Sequence, residues 1–161
     1  MNPFLRLKGI LTVLFLVCLS VPAFAMDEKQ GSDFNSFYQM SLGELTKHAK
    51  STLEKKYPHE NWELFRFPAF VFTNDSVETA YKIAVKNPEL LAKILCYCSC
   101  DTVGHKNLRD CFLKKGKPDE FDNHASYCVT CYTQAMLAFL WAELGATDHM
   151  ILEGMKRRFN P

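Results

Sequence analysis

The chain has no excess of charge of either sign. Its 161 residues carry 19 Lys and Arg against 18 Asp and Glu, a formal net charge of +1. Phosphate backbones are held by basic excess, so nucleic acid is not an expected partner. No glycine-rich phosphate loop, nucleophile triad or paired-carboxylate signature is present, which removes the commonest enzyme motifs. There is no low-complexity tract, and no repeat beyond two cysteine groups. The apolar run from Ile10 to Val21 is short of the roughly 20 residues that a spanning helix needs. No transmembrane helix is expected in the mature chain.

That run reads instead as part of a secretory signal peptide over residues 1–25. Arg6 and Lys8 precede it, and Ala23-Phe24-Ala25 supplies the small-x-small pattern before cleavage. Asp27 and Glu28 then open the mature chain. Cys18 inside the run would give a lipid anchor if it were acylated. Phe15-Leu16-Val17 lacks the small residues wanted before such a cysteine, and cleavage after Ala25 discards it. The expected location is the periplasm or cell envelope. Residues 26–161 keep 17 basic against 18 acidic residues, and their length suits one modest core.

The mature chain reads as mainly α, a small single-domain helical bundle with a Cys/His-rich loop region. Residues 26–40 are polar and read as a flexible N-terminal segment. Residues 41–161 read as the helical domain. Ser41-Leu42-Gly43-Glu44 is a capping box, and the helix it opens should reach Lys56 before Tyr57-Pro58 stops it. Trp62 to Phe72 is aromatic and reads as an extended segment, with Pro68 arguing against a central strand. Asp75 to Glu78 resembles a second capping box, starting a helix to about Lys86. Asn87 and Pro88 restart a helix that should deliver the chain to Cys96. A short helix is expected near 106–112. A long helix should begin near His124, capped by Asp122 or Asn123, and end at Gly145. Thr147 caps a last helix whose Met150, Ile151 and Met155 face inward, with Lys156 to Arg158 complementing its dipole.

Six of the seven cysteines concentrate in the second half of the chain: Cys96, Cys98, Cys100, Cys111, Cys128 and Cys131, with His105 and His124 among them. In a helical turn Cys96 and Cys100 would share a face. In an extended segment Cys96, Cys98 and Cys100 would all point one way. Cys128 and Cys131 are three apart at a helix start, where backbone amides favour a thiolate.

Three chemistries use these residues. Thiolates and imidazoles ligate soft and borderline metals, and six thiols with two imidazoles exceed the four donors of one structural zinc. Such a surplus suits copper(I) or a small cluster. The transition metal would be copper or zinc, with all eight residues as candidate ligands. The C-x-x-C spacing of Cys128 and Cys131 also suits a thiol oxidoreductase, Cys128 attacking and Cys131 resolving, although no βαβ pattern accompanies it. The plain alternative is three structural disulfides, pairing Cys96, Cys98 and Cys100 with Cys111, Cys128 and Cys131. No catalytic residue is expected beyond the redox pair. His48, His59 and His149 read as exposed, Met136, Met150 and Met155 as core, and the aromatic run as packing.

Leu95-Cys96-Tyr97-Cys98-Ser99-Cys100, Gly104-His105-Lys106, Asp110-Cys111-Phe112, His124 and Cys128-x-x-Cys131 resemble, in order, the bacterial exported proteins named for a PCYCGC or CYCxC motif. The resemblance covers about residues 66–159. It implies export and a shared thiol site more than an activity. Many members look like lipoproteins, and some are described as selenoproteins, which implies redox or soft-metal chemistry. Leu95 stands in place of the motif's proline and Ser99 in place of its glycine. No thiol is lost, but a left-handed turn is less favoured at serine.

Overall fold

The computed structural model describes residues 28–159, so the signal-peptide reading and Cys18 lie outside the described residues. Seven α-helices follow in order: α1 (Glu28–Gln39), α2 (Leu42–Lys56), α3 (Asp75–Lys86), α4 (Pro88–Ala92), α5 (His124–Tyr127), α6 (Val129–Glu143) and α7 (Asp148–Phe159). Among the described residues there is no strand, only an isolated bridge between Leu113 and Phe121. The expected mainly helical bundle is therefore the architecture.

Helix α6 organises it. Every residue from Cys131 to Trp141 is buried, because apolar and small side chains cover all of its faces. Such a helix is stable only at the centre of a bundle. Helices α1, α2, α3 and α7 pack around it. Each fully buried Leu, Phe or Met contributes roughly 1.5–3 kcal/mol, and Met136, Leu137 and Phe139 are all wholly buried. The helix ends at Gly145, whose φ of +83° lets the Gly145 and Ala146 amides return to the Ala142 and Trp141 carbonyls.

Helix α2 starts with the expected capping box, the Glu44 amide donating to Ser41 Oγ and the Ser41 amide to Glu44 Oε2. Helix α3 is capped one residue earlier than expected, by Asn74, whose Oδ1 accepts from the Val77 amide. Thr147 Oγ1 accepts from the Met150 amide at the start of α7. Within α7, Ile151 and Met155 are buried, whereas Met150 is only half-buried.

Four other expectations are corrected. Where a loose segment was expected, Glu28–Gln39 form α1. Phe34 stacks on Trp141 with ring centroids 4.4 Å apart, and Trp141 Nε1 donates to the Phe34 carbonyl at 3.1 Å. Tertiary burial of one aromatic face thus overrides weak local propensity. Gly154 permits this junction, because a Cβ there would lie 2.9 Å from the Trp141 ring.

The aromatic run is not extended. It forms 3-10 turns at Trp62–Phe65 and Ala69–Thr73, and Phe67 meets Phe121 at 5.1 Å between centroids. Helix α4 ends at Ala92 and does not reach Cys96. The helix expected from His124 is two pieces, broken at Cys128 by an extended backbone of φ −113° and ψ 101°.

Candidate metal centre

The site forms where the chain leaving α4 meets the break between α5 and α6. Cys96 and Cys98 lie in the loop after α4. Cys100 opens a 3-10 turn, Cys100–Val103, and Cys111 closes another, Leu108–Cys111. His124 starts α5, Cys128 caps α6, and Cys131 lies in the first turn of α6.

The loop from 96 to 100 is neither helical nor regularly extended. Ser99 adopts a left-handed conformation, φ 61° and ψ 29°, and turns the chain so that Cys100 enters its 3-10 turn. The position where the motif has glycine is thus one that glycine occupies without strain. Serine tolerates it here, contrary to the expectation from sequence.

Hydrogen bonds pin the surrounding loops. The Leu108 amide donates to the Ile94 carbonyl at 2.7 Å and the Asp122 amide to the Phe112 carbonyl at 2.9 Å. The Tyr81 hydroxyl donates to the Asp122 carbonyl at 2.6 Å, and Asp122 Oδ1 accepts from the His124 amide at 2.8 Å. Gln134, wholly buried, holds the backbone on both sides of Cys96. Sequence reasoning passed over Gln134. The available signal was an amide side chain in an otherwise apolar helix, one turn after Cys131.

The thiols converge. Cys96 Sγ lies 3.1 Å from Cys98 Sγ and 3.4 Å from Cys131 Sγ. Cys131 Sγ is 3.5 Å from Cys98 Sγ, and Cys100 Sγ is 3.3 Å from Cys111 Sγ. Cys98 Sγ reaches His124 Nε2 at 3.4 Å. The sulfur–sulfur spacings of 3.1–3.5 Å lie somewhat inside the roughly 3.8 Å edge of a tetrahedron with ~2.3 Å metal–sulfur bonds. All six cysteines are free. Among the described residues no pair stands near the ~2.05 Å of a disulfide, so the three bridges of the alternative reading are not formed here.

Three groups of four donors each lie within 4.8 Å of one another: Cys96, Cys98, Cys111 and Cys131; Cys98, Cys100, Cys111 and His124; Cys98, His124, Cys128 and Cys131. Together they include seven of the eight candidates. His105 stands just outside, its ring 5.1 Å from that of His124 and its Nε2 3.9 Å from Asp122 Oδ2. Its Nδ1 is buried with no hydrogen-bond partner. His48, His59 and His149 are exposed and belong to none of these groups.

The cluster has a dry back and a wet edge. Cys100, Cys111 and Cys131 are buried, whereas Cys98, His124 and Cys128 border an open depression of about 650 Å³ rimmed by Tyr127 and Val129. Contacts among the thiols decide their protonation as much as this layout does: the Cys111 and Cys131 thiols pull Cys96 well down, against burial. Burial pushes Cys98 and Cys100 up. Contacts with the Cys111, Cys128 and Cys96 thiols, together with burial, hold Cys131 up. Cys128 is pulled down to about 6 by the Cys131 thiol, against burial, with help from the Cys131 backbone amide. That amide donates to Cys128 Sγ at 3.3 Å, as expected for a thiol at a helix start. Two thiolates 3.3 Å apart, the Cys100–Cys111 spacing, would repel by about 5 kcal/mol at an effective dielectric of ~20. Without a cation, most of these thiols therefore keep their protons. A soft metal ion replaces that repulsion with attraction.

Fold and site together define a helical, cysteine-rich protein whose thiols and one imidazole meet in a single cluster. The chain belongs to the family of proteins of unknown function with a PCYCGC motif, the match spanning residues 47–159. Comparisons with curated proteins and with solved structures find no match. Among the described residues no helix is long and apolar enough to cross a membrane.

Proposed function

We propose that this protein is an exported metallothiolate protein that binds a soft or borderline transition metal, copper or zinc, for storage, delivery or detoxification. The observation that carries the reading is the convergence of six free thiols and His124 into overlapping four-donor sets. A fold that merely stapled itself with cysteines has no need to gather them around one point. The residue types also match the chemistry, because thiolate selects soft ions and imidazole suits copper and zinc alike. The dry back would retain an ion, and the wet edge at Cys98, His124 and Cys128 would let it come and go. Export rests on the reading of residues 1–25 as a signal peptide cleaved after Ala25. Cleavage there removes Cys18 and leaves the protein free in the periplasm or cell envelope.

The test is made on protein purified natively from the cell envelope without oxidant or chelator. Free thiols are counted under denaturing conditions, and metals are measured by elemental mass spectrometry on the same sample. Stoichiometric copper or zinc with ligated thiols is the expected result. Metal-free protein with every thiol oxidised would overturn the reading.

One observation favours a second reading. Cys128 borders the depression with its thiol held near 6, so it is largely thiolate at neutral pH. It could attack a partner's disulfide and release one thiol of that partner. Cys131 would then attack the mixed disulfide and release the second. The partner ends reduced, and Cys128–Cys131 ends as a disulfide. Metal-free protein that reduces a model disulfide, with Cys128→Ser inactive, would establish this reading instead.

A further inference from the structure

The donor sets overlap in a particular way. Cys98 belongs to all three. The first and second sets also share Cys111, the first and third share Cys131, and the second and third share His124. Every pair of sets thus shares an edge of two donors. One isolated ion uses one set and leaves the other donors unused within reach. Ions in adjacent sets must share ligands.

Ligand chemistry decides what can be shared. A thiolate sulfur has several lone pairs and bridges two or more metal ions. An imidazole nitrogen has one lone pair and serves a single ion. His124 therefore terminates the cluster at one ion, while Cys98, Cys111 and Cys131 are the atoms able to bridge.

Charge decides which ion is favoured. Cys100, Cys111 and Cys131 are buried, and neither Lys nor Arg lines the depression over the cluster. A divalent ion held by four thiolates leaves two uncompensated negative charges in this setting. Copper(I), which is satisfied by two thiolates, leaves only one. Thiolate-rich sites also select the softest available ion, which is copper(I).

Resting on the metallothiolate reading above, we infer that the centre holds more than one copper(I) ion per chain, with the Cys98 thiolate bridging them. Cys111 and Cys131 extend the bridge into the buried side. His124 and Cys128 complete the coordination at the open edge. Cys98, Cys111 and Cys131 each give their thiol proton to solvent on becoming thiolate ligands, and no oxidant or reductant is consumed.

The test is an anaerobic titration of the reduced, metal-free protein with copper(I) against a chromophoric copper(I) chelator, followed by X-ray absorption at the copper edge. At least two copper ions per chain and a copper–copper scattering shell are expected. Cys98→Ser should hold at most one ion and lose that shell. Cys100→Ser should keep at least two ions and the shell, because the first and third sets retain all their donors. One copper per chain without a metal–metal shell would overturn the cluster and leave a single-ion metallothiolate site standing. A shell that survives Cys98→Ser would overturn the bridging role. Failure to hold either copper(I) or zinc would overturn both readings. Circular dichroism shows whether Cys98→Ser folds. If it does not, the stoichiometry and scattering of the unsubstituted protein decide nuclearity, and Cys98→Ala tests the bridge.

Discussion

Gln134 accepts the backbone amide of Tyr97 on its Oε1 at 3.1 Å, from inside the central helix. Its Nε2 donates to the Leu95 carbonyl, also at 3.1 Å. The two bonds flank Cys96 and fix the loop against α6, so that Cys96 meets Cys131 across 35 residues of sequence. Gln134 is thus a positioning residue that has no metal-binding role of its own. Gln134→Leu keeps similar volume but leaves both backbone groups without partners. An unsatisfied buried group costs about 1–3 kcal/mol. Urea unfolding of the metal-free protein should show a loss of that order. Metal affinity should also fall, although every donor remains. Unchanged affinity would mean that the loop holds its place without Gln134.

Ser99 is the second place where the loop's geometry can be tested. A left-handed conformation costs a non-glycine residue roughly 1–2 kcal/mol, partly offset by the greater entropy that glycine loses on folding. Ser99→Gly restores the motif residue and should stabilise the metal-free protein by up to about 1 kcal/mol in urea unfolding. Ser99→Val should destabilise it, since β-branched residues tolerate φ of 61° poorly. A neutral Ser99→Val would show that the turn relaxes at little cost.

These two residues mark the limits of what was legible in the sequence. The donors were legible, because thiols and imidazoles advertise their chemistry by type and spacing. Helices α2, α3 and α6 were legible from caps and apolar content, and Gly145 from its role as a stop. The shape of the loop from 96 to 100 was not, because it depends on a left-handed serine and on a glutamine from a distant helix. Helix α1 was hidden for a related reason. Its local sequence is polar, and the stacking of Phe34 on Trp141 becomes visible only once α6 and α7 are in place. His105 was placed among the ligands by proximity in sequence, but a nearby 3-10 turn leaves it beside the donor sets and in none of them.

Cys128 should be the first thiol at the open edge to react. Its thiol is pulled down to about 6, against roughly 8.5 for an unperturbed cysteine. Alkylation of the reduced, metal-free protein should therefore reach its plateau near neutral pH. Below about pH 6 the rate should drop about tenfold per pH unit as the thiolate takes up its proton. Mass spectrometry of the early product should find the label at Cys128. A rate still rising through pH 8 would show that the thiol is not activated. Loading with metal should protect Cys128, because a ligated thiolate is no longer a free nucleophile.

Metal retention should fall as the solution is acidified. Burial holds the Cys98 and Cys100 thiols up, so in the metal-free protein they remain protonated well above neutral pH. A metal ion must displace those protons to bind. Affinity therefore rises with pH across the neutral range and falls on acidification, when protons compete for the same sulfurs. Cys128 behaves differently, since its thiol is already deprotonated above about pH 6. It adds to the proton competition only below that value. Adding copper(I) or zinc to the weakly buffered, reduced protein at neutral pH should release measurable protons, and a competing chelator should strip the metal more readily at each lower pH. Cys98→Ser should release fewer protons, because it removes a thiol common to every donor set. Binding that is independent of pH and releases no protons would mean that the metal does not sit on these thiols.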